Sequence, residues 1–575
     1  MKTVWKIIQI LLIAVWAVLL LKANSFVYIY ILTAAAGIVT VILNKKKTGR
    51  ERHRAIRVIF AVILSGAVTL ANYDLFGLWF TSKAVMAAAA VALFISGLCV
   101  FMNIIGWACT AVEHGGWKAK IHKLKPGMAF FISAAILTVI YAAVWALAYF
   151  PGILSPDSVN QINQTYTGVY SNHHPVFHTI IIQGCLWIGR TLFGTAQAGV
   201  AVYSLVQILA MACSAAYILM TMQQIGVTYK LSVPVFLFFA VMPYNILYSF
   251  TMWKDVLFSA AMALFILDLF RIMNGIGGKA ANAIMLAIST LGTCLLRTNG
   301  LPVVAVTFII AIFVMGRKHV KTLILVAAVI VVSVVLKYPM LSALNINQPD
   351  TIESLSIPAQ QIGRVMAEGE EITDEQKELL ANVVEVDKIA ENYQWYTSEK
   401  LKELVRATDN QEYIKEHKTE FIKMYIQMAV QHPVSFVESW IDGTKGYWNG
   451  GYDMWNWTVV EENDYAVERV NVVEGLSDTF DSYADAYNNI FVLQPFVSVG
   501  LWCWVIVILF AAGLAARKKE ALLALPCILI VLTLLVATPI YNEFRYAYSL
   551  FTSMPVIILA MFYRNGGNTV KNKNS

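Results

Sequence analysis

Residues 174–190 read HPVFHTIIIQGCLWIGR, and whether this stretch crosses a membrane sets the topology of everything after it. Other apolar runs able to cross a hydrocarbon core about 30 Å thick lie at residues 7–21, 26–43, 58–71, 85–109, 128–149, 198–220 and 233–250. They continue at 256–270, 283–296, 301–315, 322–336, 490–514, 522–536 and 546–562, which makes fourteen. With an inside N-terminus and residues 174–190 left out of the count, every second loop is basic, as cytoplasmic loops are. These loops carry Lys45, Lys46, Lys47, Arg50, Arg52, Arg54 and Arg57; then Lys118, Lys120, Lys123 and Lys125; then Lys230, Arg271 with Lys279, and Arg317 with Lys318 and Lys321. Arg517 to Lys519 and a tail with Arg564, Lys571 and Lys573 complete the set. The short outside loops offer only Lys22, Lys83, Arg190, Lys254, Arg297 and Arg545. A crossing at 174–190 would invert this pattern, so the stretch is read as a helix lying in or dipping into the outer interface.

Composition excludes a chain of soluble domains. Of 575 residues 58% are apolar and 14% charged, and the mean hydropathy is +0.63, against about 25% charged residues in an ordinary soluble domain. Residues 338–489 hold 28 of the 36 acidic and 11 of the 43 basic side chains, a net −17, and the remainder carries +24. An acidic water-facing module is thus set into a basic membrane part. The overall +7 does not indicate nucleic acid, because the basic residues sit in short loops between apolar spans. All seven cysteines (Cys99, Cys109, Cys185, Cys213, Cys294, Cys503, Cys527) fall in apolar stretches, without a disulfide framework or a CxxC pair.

The expected class is an all-α polytopic membrane protein of about 14 transmembrane helices with a mainly helical extracytoplasmic module, both termini facing the cytoplasm. Four parts follow: residues 1–126 with four spans; 127–337, a membrane core with a first outer loop at 150–197; the acidic module 338–489; and 490–575 with three spans and a basic tail. Lys2 and Lys6 before an apolar run also fit a signal peptide, but the run is long and LKANS is a poor cleavage site. In the module, EQKELLANVVEVDKIAENY and the segment from SEKLKELVRA to MAVQHP repeat apolar residues at three and four, the helical period. Trp440, Tyr447, Trp448, Tyr452, Trp455 and Trp457 cluster where the module returns to the headgroups, or form a sugar platform. There is no internal repeat.

Outside the module only eight carboxylates occur. Glu51, Glu113 and Glu520 lie in basic loops, and Asp268 is one turn from Arg271, a spacing that suits a structural pair. Asp74, Asp157, Asp255 and Glu543 remain, all on the outer side. Asp157 follows Pro151, Gly152 and Pro156 in a loop free of Lys and Arg, where Ser155 or Asp157 can cap a short helix. The residue serves either as that cap or as a general base for an acceptor hydroxyl or amine. His173, His174 and His178 suit hydrogen bonds to a headgroup or carrier phosphate. A metal shared by His174 and His178 is opposed by Pro175 and by the lack of a nearby acid. Lys254, Arg297 and Arg545 are cations suited to phosphate; Asp255, Asn299 and Glu543 accompany them, and Gln360, Gln361 and Arg364 of the module are expected to reach the same mouth.

An outer first-loop Asp, an HP-x-x-H-T stretch with an apolar interfacial helix, an Arg-x-Asn-Gly-x-Pro turn and a late Glu-x-Arg-Tyr together resemble the GT-C superfamily of integral-membrane glycosyltransferases. Nearest are uncharacterised bacterial members with PG-x4-DS-x2-Q and HP-x2-HT, distantly similar to the protein O-mannosyltransferases and aminoarabinose transferases. The similarity covers residues 128–299 well, the module and last spans loosely, and the first four spans hardly. It implies a sugar donor on a polyprenyl phosphate, transfer to a glycan, lipid or protein acceptor on the extracytoplasmic face of the plasma membrane, Asp157 as base, and Lys254, Arg297 and Arg545 on the carrier phosphate. Many relatives have an Asp-Glu pair in the first loop; here Ser158 follows Asp157, so a second acid would come from Asp255 or Glu543. Some members use a divalent metal and others none. A lipid or polysaccharide transporter or flippase is the competing class; it would be expected to place ionisable residues in mid-span.

Overall fold

The computed structural model describes residues 2–23, 27–43, 53–117, 124–451 and 467–564, with residues 120, 122, 463 and 465. Several of the basic-loop residues, the tail beyond Arg564, and Tyr452, Trp455 and Trp457 lie outside the described residues. Among those described the chain is helical, with only isolated β-bridges. It is a polytopic helical membrane protein: among the described residues ten helices are long and apolar enough to cross a membrane. Nine of the fourteen apolar runs fall on these ten helices and five on shorter apolar ones, Thr3–Leu19, Val27–Leu43, Tyr229–Val241, Gly300–Met315 and Val499–Ala515.

The tenth long helix is Val176–Phe193, which by length and composition also qualifies as a span. It packs antiparallel on the first turns of Ala196–Gln224: His178 meets Tyr203, and Gly189 crosses Gly199 so closely that a Cβ on Gly189 would lie 2.1 Å from the Gly199 nitrogen. The rest of Ala196–Gln224 runs beside Pro126–Ala148, down to Gln223, which donates to the Leu124 carbonyl at 2.6 Å.

Two helices form the centre of the bundle. Lys254–Asn274 and Phe544–Phe562 are each 83% buried along their apolar windows, whereas Arg317–Ala343 is only 11% buried and faces outward. Small and hydroxyl side chains such as Ala547, Ser549, Ser553 and Ala560 let neighbours approach Phe544–Phe562, and the Thr552 hydroxyl donates to the Ser259 carbonyl at 3.1 Å, tying the central pair together. Their first residues, or the one next to it, are Lys254 and Arg545. The most rigidly enclosed elements therefore carry two of the expected cations.

The bundle has chemically different ends. At one, Lys518 donates to the carbonyls of Met561 and Tyr563 at 2.6 and 2.7 Å, and Arg564 to that of Glu113 at 2.7 Å. Arg271 was expected to pair with Asp268; instead its guanidinium donates to Thr221, Gln224 and Asn282, while Asp268 accepts from Ser289 at 2.9 Å. The acidic module covers the other end. It has its own apolar core, including Val365, Leu380, Val405 and Met428, and its backbone is pinned to the bundle at several places. The Asn172 nitrogen donates to the Asn347 carbonyl at 2.7 Å, and the Ser398 nitrogen to that of Pro539 at 2.8 Å. Tyr447 and Trp448 are buried in the bundle, with the Trp448 carbonyl accepting from Trp504 at 2.9 Å, so they anchor the module and offer no sugar platform.

Candidate functional site

Where module and bundle meet, a polar cavity of 1330 Å³ opens between the first outer loop, the segments 297–299 and 533–546, and the module. Its focus is Asp157. Pro156–Thr167 starts with Pro at its first position and a reciprocal Ser155/Ser158 capping box, the Ser155 nitrogen donating to the Ser158 hydroxyl at 2.6 Å. Asp157 is therefore not the cap. Its Oδ2 accepts from Lys254 Nζ at 2.7 Å and from Arg545 Nη1 at 2.9 Å, and His174 Nδ1 lies 3.8 Å away. Burial pushes the carboxyl up, but Lys254 and then Arg545 outweigh it and hold it well below the usual carboxylate range. His174, desolvated and 3.3 Å from the Lys254 ammonium, is held well below the usual imidazole range and is neutral.

A second layer fixes these cations. Glu543 Oε1 lies 3.4 Å from Arg545 Nε, and the same guanidinium stacks over Trp253 and Tyr546. Arg297 pairs with the fully buried Asp255 at 2.8 Å, while its Nη1 proton is directed at the Tyr546 carbonyl at 3.0 Å; neither Asp255 oxygen receives an aligned hydrogen bond. Lys337 donates to the carbonyls of Cys294 and Arg297, both at 3.1 Å, and holds that turn. Asn299 reaches Thr533 at 3.0 Å.

Of the expected residues, Asp157, His173, His174, Lys254, Arg297, Asn299 and Arg545 line the cavity. Asp255 and Glu543 stand behind their arginines. His178 does not reach it: its ring nitrogens contact Gln161 at 2.9 Å and Tyr203 at 2.6 Å. Tyr203 donates to Gln207, whose amide donates to the carbonyls of Tyr248 and Thr251, so His178 belongs to a buried polar chain that shapes the turn before Lys254. Gln361 and Arg364 are also elsewhere. Gln361 donates to the Phe436 carbonyl at 3.0 Å, and Arg364 is saturated by Asp442, Glu438 and Glu368. The module contributes Glu353, Lys402 and Arg406 instead. Lys402 is 1% exposed and pairs with Glu353 and Glu399 at 2.9 and 2.8 Å; Arg406 pairs with Asp350 at 3.1 Å and with Glu353. The four-residue spacing of Lys402 and Arg406 puts them on one face of Glu399–Ala407, but nothing in the local sequence says what that face meets.

Among the described residues no three His, Cys, Asp or Glu side chains converge as a metal site. Each carboxylate here has a Lys or Arg cation at 2.7–3.4 Å, whose charge opposes a divalent ion in the same place, so the arrangement does not fit a resident metal. It can bind an anion and hold a carboxylate ionised beside it.

Fold and site define a multi-pass helical membrane protein with a charged cavity between its bundle and a helical module. The chain belongs to a family of unknown function, DUF6020, which matches residues 162–575. No curated protein and no solved structure matches it.

Proposed function

We propose that the protein is a GT-C-like glycosyltransferase of the plasma membrane with about 14 transmembrane helices, moving a sugar from a polyprenyl-phosphate donor to a cell-envelope acceptor on the extracytoplasmic face. The observation that carries this reading is the neighbourhood of three cations and a carboxylate with an apolar groove. A groove of 740 Å³ runs between Ala196–Gln224, Lys254–Asn274 and Lys279–Leu296. It includes Leu257, three residues after Lys254, and Leu296, just before Arg297. A lipid tail in the groove would bring its phosphate to these cations.

The resting pairing of Asp157 explains how it becomes a useful base. With both cations on its oxygen it is too weak to take a proton well. An incoming phosphate draws Lys254 and Arg545 toward itself, which raises the proton affinity of Asp157. The acceptor hydroxyl then gives its proton to Asp157 as its oxygen bonds to the anomeric carbon; the bond from that carbon to the phosphate oxygen breaks, and the polyprenyl phosphate leaves with the electron pair, held by Lys254, Arg297 and Arg545. Ionisable side chains within the spans, Asp268, Arg271 and Lys337, are engaged by fixed neighbours, which favours this reading over a flippase.

Purified protein in proteoliposomes, offered a panel of radiolabelled polyprenyl-phosphate sugars with envelope extract as acceptor, should release free polyprenyl phosphate and label the extract. No release from any donor, together with unchanged envelope glycans by mass spectrometry in cells lacking the gene, would sink the proposal.

A further inference from the structure

The acidic module contains a second cavity, of 440 Å³. Its wall is the module's own core: Leu380, Val383, Val405 and Ile414 line it and are buried, with Ala359 and Phe421 beside them. Protein interiors close-pack and leave few voids larger than a water molecule, and small-molecule sites run from about 300 to 1,000 Å³. A cavity of this size beside so small a core has room for a ligand, and its lining suits an apolar occupant.

Two features say what kind. Thr351, Ser354 and Lys415 line both this cavity and the polar one, so the two meet; Lys418 and Lys415, the latter paired with Glu412 at 2.8 Å, bring positive charge to the apolar side. Opposite, Ile422 lines the cavity and is followed by exposed Ile426 and Val430 on one face of Lys418–Gln431, then by exposed Val434 and Val437 on Pro433–Trp448. That second helix reaches the bundle, where Trp440 donates to the Leu535 carbonyl at 2.9 Å. An apolar track thus leads from the rim of the helical bundle into the module.

We propose that the module cavity binds one acyl chain of an anionic amphipath, taken up along this track, with its headgroup at Lys415 facing the polar cavity. A long polyprenyl tail exceeds the space, so the occupant is a chain of limited length, distinct from the sugar donor. The assignment goes beyond the transferase reading and does not depend on it.

The test is photo-crosslinking of full-length protein in phosphatidylcholine nanodiscs with a diazirine-bearing palmitic acid, read by peptide mass spectrometry. Adducts are expected within residues 351–425. Filling the cavity by Val405→Trp or, more gently, Ala359→Val should reduce them about tenfold while adducts on the membrane helices persist, and a thermal melt confirms that each variant is folded. Lys415→Glu with Lys418→Glu should weaken labelling by the acid severalfold but leave labelling by the matching diazirine alcohol unchanged. Absence of adducts in 351–425, or adducts indifferent to both folded fillers, would overturn the site. Equal loss of acid and alcohol labelling would overturn the headgroup placement, and labelling by a diazirine geranylgeranyl phosphate but not by palmitate would overturn the acyl assignment.

Discussion

Lys254 and Asp157, 97 residues apart in the chain, meet at 2.7 Å on the floor of the polar cavity. The pair joins the first turn of a central helix to the capped turn of the first outer loop, and Arg545 completes it from the other central helix at 2.9 Å. Charge, not capping, is therefore what Asp157 supplies.

Asp157→Asn should insert and fold, because Ser155 and Ser158 cap the helix without it, and should lose about a hundredfold or more in transfer rate as the base is removed. Single-turnover assays on purified, monodisperse protein check this. A parental rate would mean that the proton goes elsewhere, with Asp255 or Glu543 next in line.

Lys254→Ala and Arg545→Ala should raise the donor requirement more than the acceptor requirement. Each removes one charge-assisted contact to phosphate, about 1.5–3 kcal/mol, or roughly ten- to a hundredfold. Initial rates at limiting donor measure it, and unchanged donor dependence in both variants would reduce these residues to holders of Asp157.

Arg297 should behave differently, because it neutralises Asp255, which is fully buried. Arg297→Gln leaves an uncompensated buried carboxylate, a loss of about 3–5 kcal/mol, and folded yield should fall. Adding Asp255→Asn should restore the yield. If the double variant folds yet still uses donor poorly, Arg297 binds phosphate; if its donor use is parental, Arg297 serves only Asp255.

His174 gives a pH dependence with a definite sign. Its folded-state pKa lies below the unfolded value of about 6.5, so the unfolded chain binds the extra proton between the two. Its contribution to stability is complete above about pH 6.5 and declines as pH falls toward the folded value. Asp157 acts lower: its depressed pKa gives stability that is present above about pH 3.9 and lost only as pH falls further. Melting temperatures in detergent should therefore drop between pH 6.5 and 5, and His174→Gln should flatten that slope; an unaltered slope would place the titrating group elsewhere.

Topology is open to direct measurement. In a cysteine-free background, single cysteines at Ser171, Thr191 and Glu399 should react with an impermeant thiol reagent in intact cells, and one at Gly278 should not. Thr191 lies near the far end of Val176–Phe193, so its protection would make that helix a span and reverse the orientation of the helices that follow.

The sequence by itself determined the membrane class, the apolar helices, the acidic module and the charged residues on the bundle side of the polar cavity, Asp157, Lys254, Arg297 and Arg545. Hydropathy and loop charge are sums over neighbouring residues, and the physics they report is local in the chain. Which charges meet was decided only by tertiary structure. Arg364 and Arg545 look equally available in sequence, yet one is saturated inside the module and the other faces Asp157 from 388 residues away. Likewise Lys402 and Arg406, ordinary helix charges by spacing, become the far wall of the cavity because the backbone of Ser398 is pinned to Pro539. Electrostatic interaction falls off over a few ångströms of space and takes no account of distance along the chain. No local pattern can therefore report an ion pair until the helices that carry its members have packed.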